Sequence, residues 1–200
     1  MFERFLPESI EVILLAKDEL VSVNKKLIST EYILLGLITQ GSRKVQTQWN
    51  GNDTTVVPGI AAKILQAAGL TPEIVRSLAL SSLVQSRETE EIDAIEFNKE
   101  SASSSAPMSK QMSPNLKNVI VTYFHECRFN ERVLQSFLIA SQRANEFEQK
   151  DINTGHLLLG LIEEGEEIVN GTMSNAVKII ETLDTSCAEI KQQVIDMLGR

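Results

Sequence analysis

Cysteine is scarce in this 200-residue chain, which holds only Cys127 and Cys187 and no Cys-x-x-Cys pair. That count leaves no disulfide framework and no zinc ribbon, so a reduced compartment is the simplest expectation, with both thiols serving as ordinary packing. A chain of this length buries enough apolar surface to fold without staples. Positive charge is short too: 19 Lys and Arg stand against 27 Asp and Glu, a net charge of -8. The basic residues are scattered, so the stripe needed to grip a nucleic acid is missing. No apolar run reaches the roughly 18 to 20 residues of a membrane helix, and the opening "MFERFLPE" has neither a basic leader nor a long apolar stretch. The expectation is a cytoplasmic protein that engages neither membrane nor nucleic acid, and in which the Asn170-Gly171-Thr172 sequon is chance. No GxxxxGK[ST] occurs, so the 200 residues carry no phosphate-cradling loop.

What the chain does have is repetition. "STEYILLGLITQG", Ser29 to Gly41, returns as "NTGHLLLGLIEEG", Asn153 to Gly165, with seven of thirteen positions identical at an offset of 124. Upstream of the first copy, Ile10, Ile13, Leu14, Ala16, Leu20 and Val21 recur at helical spacing, and Pro7 suits the first turn because its missing N–H costs nothing there. Thr30 is the expected cap of a second helix whose body, Ile33 to Ile38, is apolar all round and therefore buried. Gly41 reads as its left-handed C-terminal stop. Ile60 to Ala68 and Pro72 to Val84 follow as a third and fourth helix, separated by Gly69. In the second copy Val133, Phe137, Ala140, Ala144 and Phe147 form the first stripe, Thr154 the cap, and Leu157 to Ile162 the buried helix. Ala176 to Leu183 and Ala188 to Leu198 complete it.

Gly36 and Gly160 each cost about 0.5 to 1 kcal/mol against Ala inside a helix. Their recurrence at one position predicts a helix–helix approach too close for a side chain. The expected fold is all-α: two tandem four-helix repeats, about eight helices, packed face to face with pseudo-twofold symmetry. Residues 1–85 form the first repeat, 86–128 a linker and 129–200 the second repeat. Residues 86–115, acidic and then Ser-rich, bury too little to offset their ordering entropy and read as mobile linker. For "VIVTYF", Val119 to Phe124, periodicity leaves strand and short helix both open.

The stretches "MFERFLPESIEVILLAKDE", "STEYILLGLITQG", "GIAAKIL" and "TGHLLLGLIEEG" resemble the duplicated Clp N-terminal domain of ClpC- and ClpA-type chaperones, across both repeats. In that family the domain is a helical cap on a ring ATPase, receiving substrates and adaptors. With the cap and no motor, the chain resembles a free-standing Clp-N protein, similar in kind to the plastid ClpT accessory proteins. The resemblance implies partners among a ClpC-type chaperone and the ClpP/R peptidase core, no cofactor, and no catalysis. It further implies a phosphoarginine-type contact at the Thr-Glu opening the second helix, matched here by Thr30 and Glu31. In the second copy Thr154 matches but Gly155 replaces the acid, which disables that half of any such binding, because a carboxylate would accept the guanidinium N–H groups.

The chain departs from the repeat between Gly41 and Ile60. "SRKVQTQWNGNDTTVVPG" is about nine residues longer than its counterpart and carries Arg43, Lys44 and the single tryptophan, Trp49. Loops on rigid scaffolds carry binding, and Trp and Arg are frequent interface anchors, which makes these three binding candidates. Trp49 folded back on the domain's own apolar surface is the competing reading. Catalytic patterns are thin. His125-Glu126-Cys127 has no second cluster to complete a metal site. His156 reads as a packing or capping residue, and the Glu163 to Glu167 acids as solvated charge.

Two functions follow. One is a non-enzymatic accessory or adaptor of the Clp chaperone–protease system, modulating assembly or substrate delivery. The other reuses the same fold to bind a non-Clp target, such as a metabolic or photosynthetic complex.

Overall fold

The computed structural model describes residues 2–42, 46–49, 52–55, 58–85, 128–167, 172–183 and 185–199. Among them are eight α-helices: α1 Pro7–Ser22, α2 Thr30–Ser42, α3 Ile60–Ala67, α4 Pro72–Gln85, α5 Glu131–Glu146, α6 Thr154–Glu166, α7 Asn175–Thr182 and α8 Cys187–Leu198. The fold is all-α, with one addition that periodicity did not reveal: a short antiparallel hairpin, β1 Gln46–Trp49 and β2 Asn52–Thr55, inside the insertion. Asn50 and Gly51, which separate the two strands in the sequence, lie outside the described residues. His125 to Cys127, Val119 to Phe124 and the acidic and Ser-rich stretch lie outside the described residues.

Helices α2 and α6 are the struts. Ile33 to Leu35, Leu37 and Ile38 are at most 1% exposed, as are Leu157 to Leu159, Leu161 and Ile162. A helix buried on every side has no polar face to turn outward, which is why its sequence shows no amphipathic stripe. The core residues of both copies form one contiguous cluster.

The repeated glycines explain how the struts are held. A Cβ on Gly36 would lie 2.3 Å from the Val12 carbonyl oxygen of α1, and a Cβ on Gly160 2.1 Å from that of Ser136 on α5. Val12 and Ser136 are themselves 124 apart. Backbone meets backbone at both crossings, so no rotamer change relieves the clash.

Two isolated bridges stitch the copies together. Leu6 N–H donates to the Ile152 carbonyl at 2.9 Å and Ile152 N–H to that of Arg4 at 2.6 Å. At the related positions Asn130 N–H donates to Ile28 O at 3.0 Å and Ile28 N–H to Arg128 O at 2.8 Å. The stretch before each first helix thus pairs with the one before the opposite second helix. Phe2, Phe5, Phe129 and Phe137 pack over this stitching, with Phe5 and Phe129 both edge-on to Phe137 at 5.6 Å.

One expectation fails on detail. Gly41 does not end α2 in the left-handed region; it lies inside the helix, where a Cβ would come within 2.3 Å of the Ala62 side chain on α3. It serves close packing, as its mate Gly165 does against Ser174 and Val177. Gly69, at φ +83°, does take the left-handed role after α3.

Candidate functional site

Thr30 and Thr154 do not cap their own helices. Each sits within the first turn and reaches across the seam: Ala176 N–H at the start of α7 donates to Thr30 Oγ1 at 3.4 Å, and Ala61 N–H at the start of α3 donates to Thr154 Oγ1 at 3.4 Å. The hydroxyl satisfies an orphan donor of the opposite copy. The cap of α6 is Asn153, whose side chain accepts from His156 N–H at 3.1 Å while His156 Nδ1 accepts from Asn153 N–H at 3.2 Å. Asn stood one residue before the expected cap, and only the helix start distinguishes the two.

Glu31 is 2% exposed. Its Oε1 accepts from Ser29 Oγ at 2.6 Å and its Oε2 from Asn175 Nδ2 at 3.4 Å, so the carboxylate lies between the start of α2 and the start of α7. The related Gly155 has no side chain to offer, and a Cβ there would meet Ile60 and Leu198 at 3.2 to 3.3 Å. The structure brings Thr30 and Glu31 together in the seam and leaves Trp49 elsewhere, at the end of β1 opposite Asn52. Arg43 and Lys44 lie outside the described residues.

Sequence reasoning passed over the polar groups at the ends of the struts. Gln40, near the end of α2, accepts from Gly59 N–H at 2.9 Å. Its mate is Glu164, 2% exposed, which pairs with Arg132. Arg132 also donates to the carbonyls of Glu164 at 3.3 Å, Glu167 at 3.0 Å and Thr172 at 3.2 Å, so it caps the C-terminus of α6. Burial pushes the Glu164 carboxyl above its usual range, and Arg132 partly opposes this. The signal in the sequence was an Arg and a Glu at matched positions on the first and second helices of one copy, without counterparts in the other.

The other reactive types are quiet. His156 is fully buried and its pKa is lowered to about 4, first by burial and then by the nearby Arg4 charge, so the ring is neutral. Burial pushes the Cys187 thiol up to about 11, which leaves it protonated and unreactive. No three His, Cys, Asp or Glu among the described residues gather as a metal site, and none of the described helices is long and apolar enough to cross a membrane.

Taken together, the residues define a double four-helix bundle closed by reciprocal contacts, in which the hydroxyls of Thr30 and Thr154 serve the opposite copy and Asn153, His156 and Arg132 serve the ends of α6. Known proteins share both the sequence and the shape. The chain is 29% identical over 199 residues to an ATP-dependent Clp protease ATP-binding subunit ClpA homolog from Guillardia theta, and 28% identical over the same length to the negative regulator of genetic competence ClpC/MecB of Bacillus subtilis. Both matches take in 100% of this chain and 18% of the relative, so the chain spans under a fifth of these proteins' length. Among solved structures, the N-terminal domain of the chaperone ClpD from Arabidopsis thaliana superposes with a TM-score of 0.57 at 16% identity, over 100% of this chain and 97% of that one. No family model matches. The likeness to these ClpA- and ClpC-type proteins runs through both copies, and the fold is the one seen in the N-terminal domain of ClpD.

Proposed function

We propose that this chain is a non-enzymatic, protein-binding module of the Clp chaperone–protease system. It acts as an accessory or adaptor that engages a ClpC-type chaperone or its peptidase core and modulates assembly or substrate delivery. One observation carries the reading: the similarity to ClpA- and ClpC-type proteins runs through both copies, over the whole chain. The same 200 residues contain no phosphate-binding loop.

The contact surface is the insertion that the second copy lacks, with Arg43, Lys44 and Trp49 as its anchors; Trp49 is the last residue of β1 in its hairpin. Thr30 and Glu31 belong to the same reading in a secondary role. A phosphorylated arginine reaches Glu31 only where the Asn175 contact gives way, so binding there would be coupled to the seam.

Affinity capture with a purified ClpC-type chaperone and its peptidase tests the proposal. The expected result is retention at low and moderate salt, lost on Trp49→Ala. No enrichment at either salt would overturn it. Capture dominated by non-Clp proteins, and lost on Trp49→Ala, would favour reuse of the fold for a different target.

A further inference from the structure

Arg4 and Arg128 occupy related positions, 124 residues apart, and their surroundings differ. The Arg4 guanidinium is fully engaged: it donates to the Lys150 carbonyl at 2.8 Å, Ser141 Oγ at 3.0 Å, Asn145 Oδ1 at 2.8 Å and the Gln149 carbonyl at 3.3 Å. Around Arg128 the four matching positions are Lys26, Lys17, Val21 and Lys25. Two acceptor side chains have become a cation and an aliphatic group. The Arg128 side chain has no hydrogen bond or ion pair among the described residues, and it borders an open cavity of about 260 Å³.

That cavity gathers positive charge in a chain whose net charge is -8. Lys17, Lys25, Lys26 and Arg128 rim it; Leu20 and Ile28 line its floor, and Val21, 67% exposed, forms one wall. Lys26 and Arg128 repel each other across the rim, and a bound anion relieves that repulsion. The apolar floor and wall gain nothing from a small inorganic anion. They gain from an aliphatic side chain, which takes apolar surface out of water as it covers them.

We propose that this groove binds an acidic peptide segment of a partner protein, seating an aliphatic side chain against Val21 and Leu20 between carboxylates held by Lys26 and Arg128. The inference is independent of the Clp reading. It concerns another surface, on the α1 side of the first copy, and follows from the failed symmetry between Arg4 and Arg128.

Fluorescence anisotropy of the full chain with a labelled ten-residue peptide of six Glu and Asp and two central Leu tests it. Saturable binding is expected at low salt, weakening as the Debye length shortens. The Lys26→Glu, Arg128→Glu pair is expected to weaken it more than tenfold, which is about 1.4 kcal/mol. Val21→Glu, at an exposed site that folding does not use, is expected to weaken it several-fold, and carries the test if the charge-reversed pair fails to fold. Replacing both leucines of the peptide with serine is expected to weaken it likewise. No saturable binding, or binding unmoved by these changes in a chain of unaltered helicity, would overturn the proposal. So would equal affinity for an oligonucleotide of the same charge or for inorganic phosphate. Binding that appears only after residues 88–100 are deleted would make the chain's own acidic stretch the occupant and overturn the assignment to a partner.

Discussion

In the first copy the strut α2 ends on neutral Gln40 and begins beside a buried acid, Glu31; in the second, α6 ends on Glu164 locked to Arg132 and begins with an Asn153–His156 capping box. The interiors of the two copies scarcely differ. Both press a glycine against a backbone carbonyl of the first helix, and both send a threonine hydroxyl to the opposite copy. A duplicated fold keeps what its seam requires on both sides, because a change at one crossing misplaces both halves. The polar groups at the strut ends have diverged, each copy satisfying them with a different set of partners.

The glycine crossings are where this comparison is easiest to break. Gly160→Ala and Gly36→Ala each force a methyl group onto a carbonyl oxygen, and helix propensity returns only about 1 kcal/mol. Urea unfolding is expected to show a loss of about 2 to 4 kcal/mol for each, larger at Gly160, where the approach is closer and Ala140 N lies within 2.9 Å as well. Equal or negligible losses would mean the crossings can slide.

Next come the strut ends. Arg132→Ala strands the Glu164 carboxylate, 3% exposed as a side chain, with an expected cost of about 3 kcal/mol that Glu164→Gln partly rescues. Gln40→Ala removes one neutral acceptor from Gly59 N–H and is expected to cost about 1 kcal/mol. If the two losses are similar, the copies are equivalent there after all.

The capping box supplies a pH test confined to one copy. The folded pKa of His156, about 4, lies below the ordinary 6.5, so the unfolded chain binds the extra proton between those values. Stability associated with the neutral ring is complete above about pH 6.5 and falls as the pH drops toward 4, by roughly 3 kcal/mol. His156→Gln keeps an N3 acceptor for the cap and is expected to flatten that slope. Glu164, raised by burial, titrates in the opposite sense, so the difference between variant and parent isolates the ring.

The smallest effect expected is at the seam threonines. Thr30→Val and Thr154→Val each lose one long hydrogen bond and are expected to cost about 0.5 to 1 kcal/mol, nearly equal in denaturation. A marked inequality would show that the reciprocity is only geometric.

Much of this architecture was legible in the residues. Helical spacing located all eight helices to within a few residues of their ends, and the paired glycines announced a crossing that the Val12 and Ser136 carbonyls fill. Gly41 was misread, since a glycine before polar residues looks like a stop whether or not a neighbouring helix leans on it. The hairpin was missed because its strands are polar and short. Thr30 and Thr154 were taken for caps of their own helices, the nearest donors in sequence. Of the candidate site, Thr30 and Glu31 proved to be neighbours across the seam from Asn175, a residue 144 positions away from Glu31 that no spacing rule connects to it.

Periodicity, capping residues and internal repetition are local properties, set by groups three or four residues apart, and with them the chain alone determined its helices, their order and its duplication. Tertiary structure decided which distant group each polar atom meets: a threonine bonding the opposite copy, a histidine kept neutral, one arginine saturated and its mate left beside three lysines. Those outcomes turn on how the two halves dock, and docking brings together segments that the covalent chain holds more than a hundred residues apart.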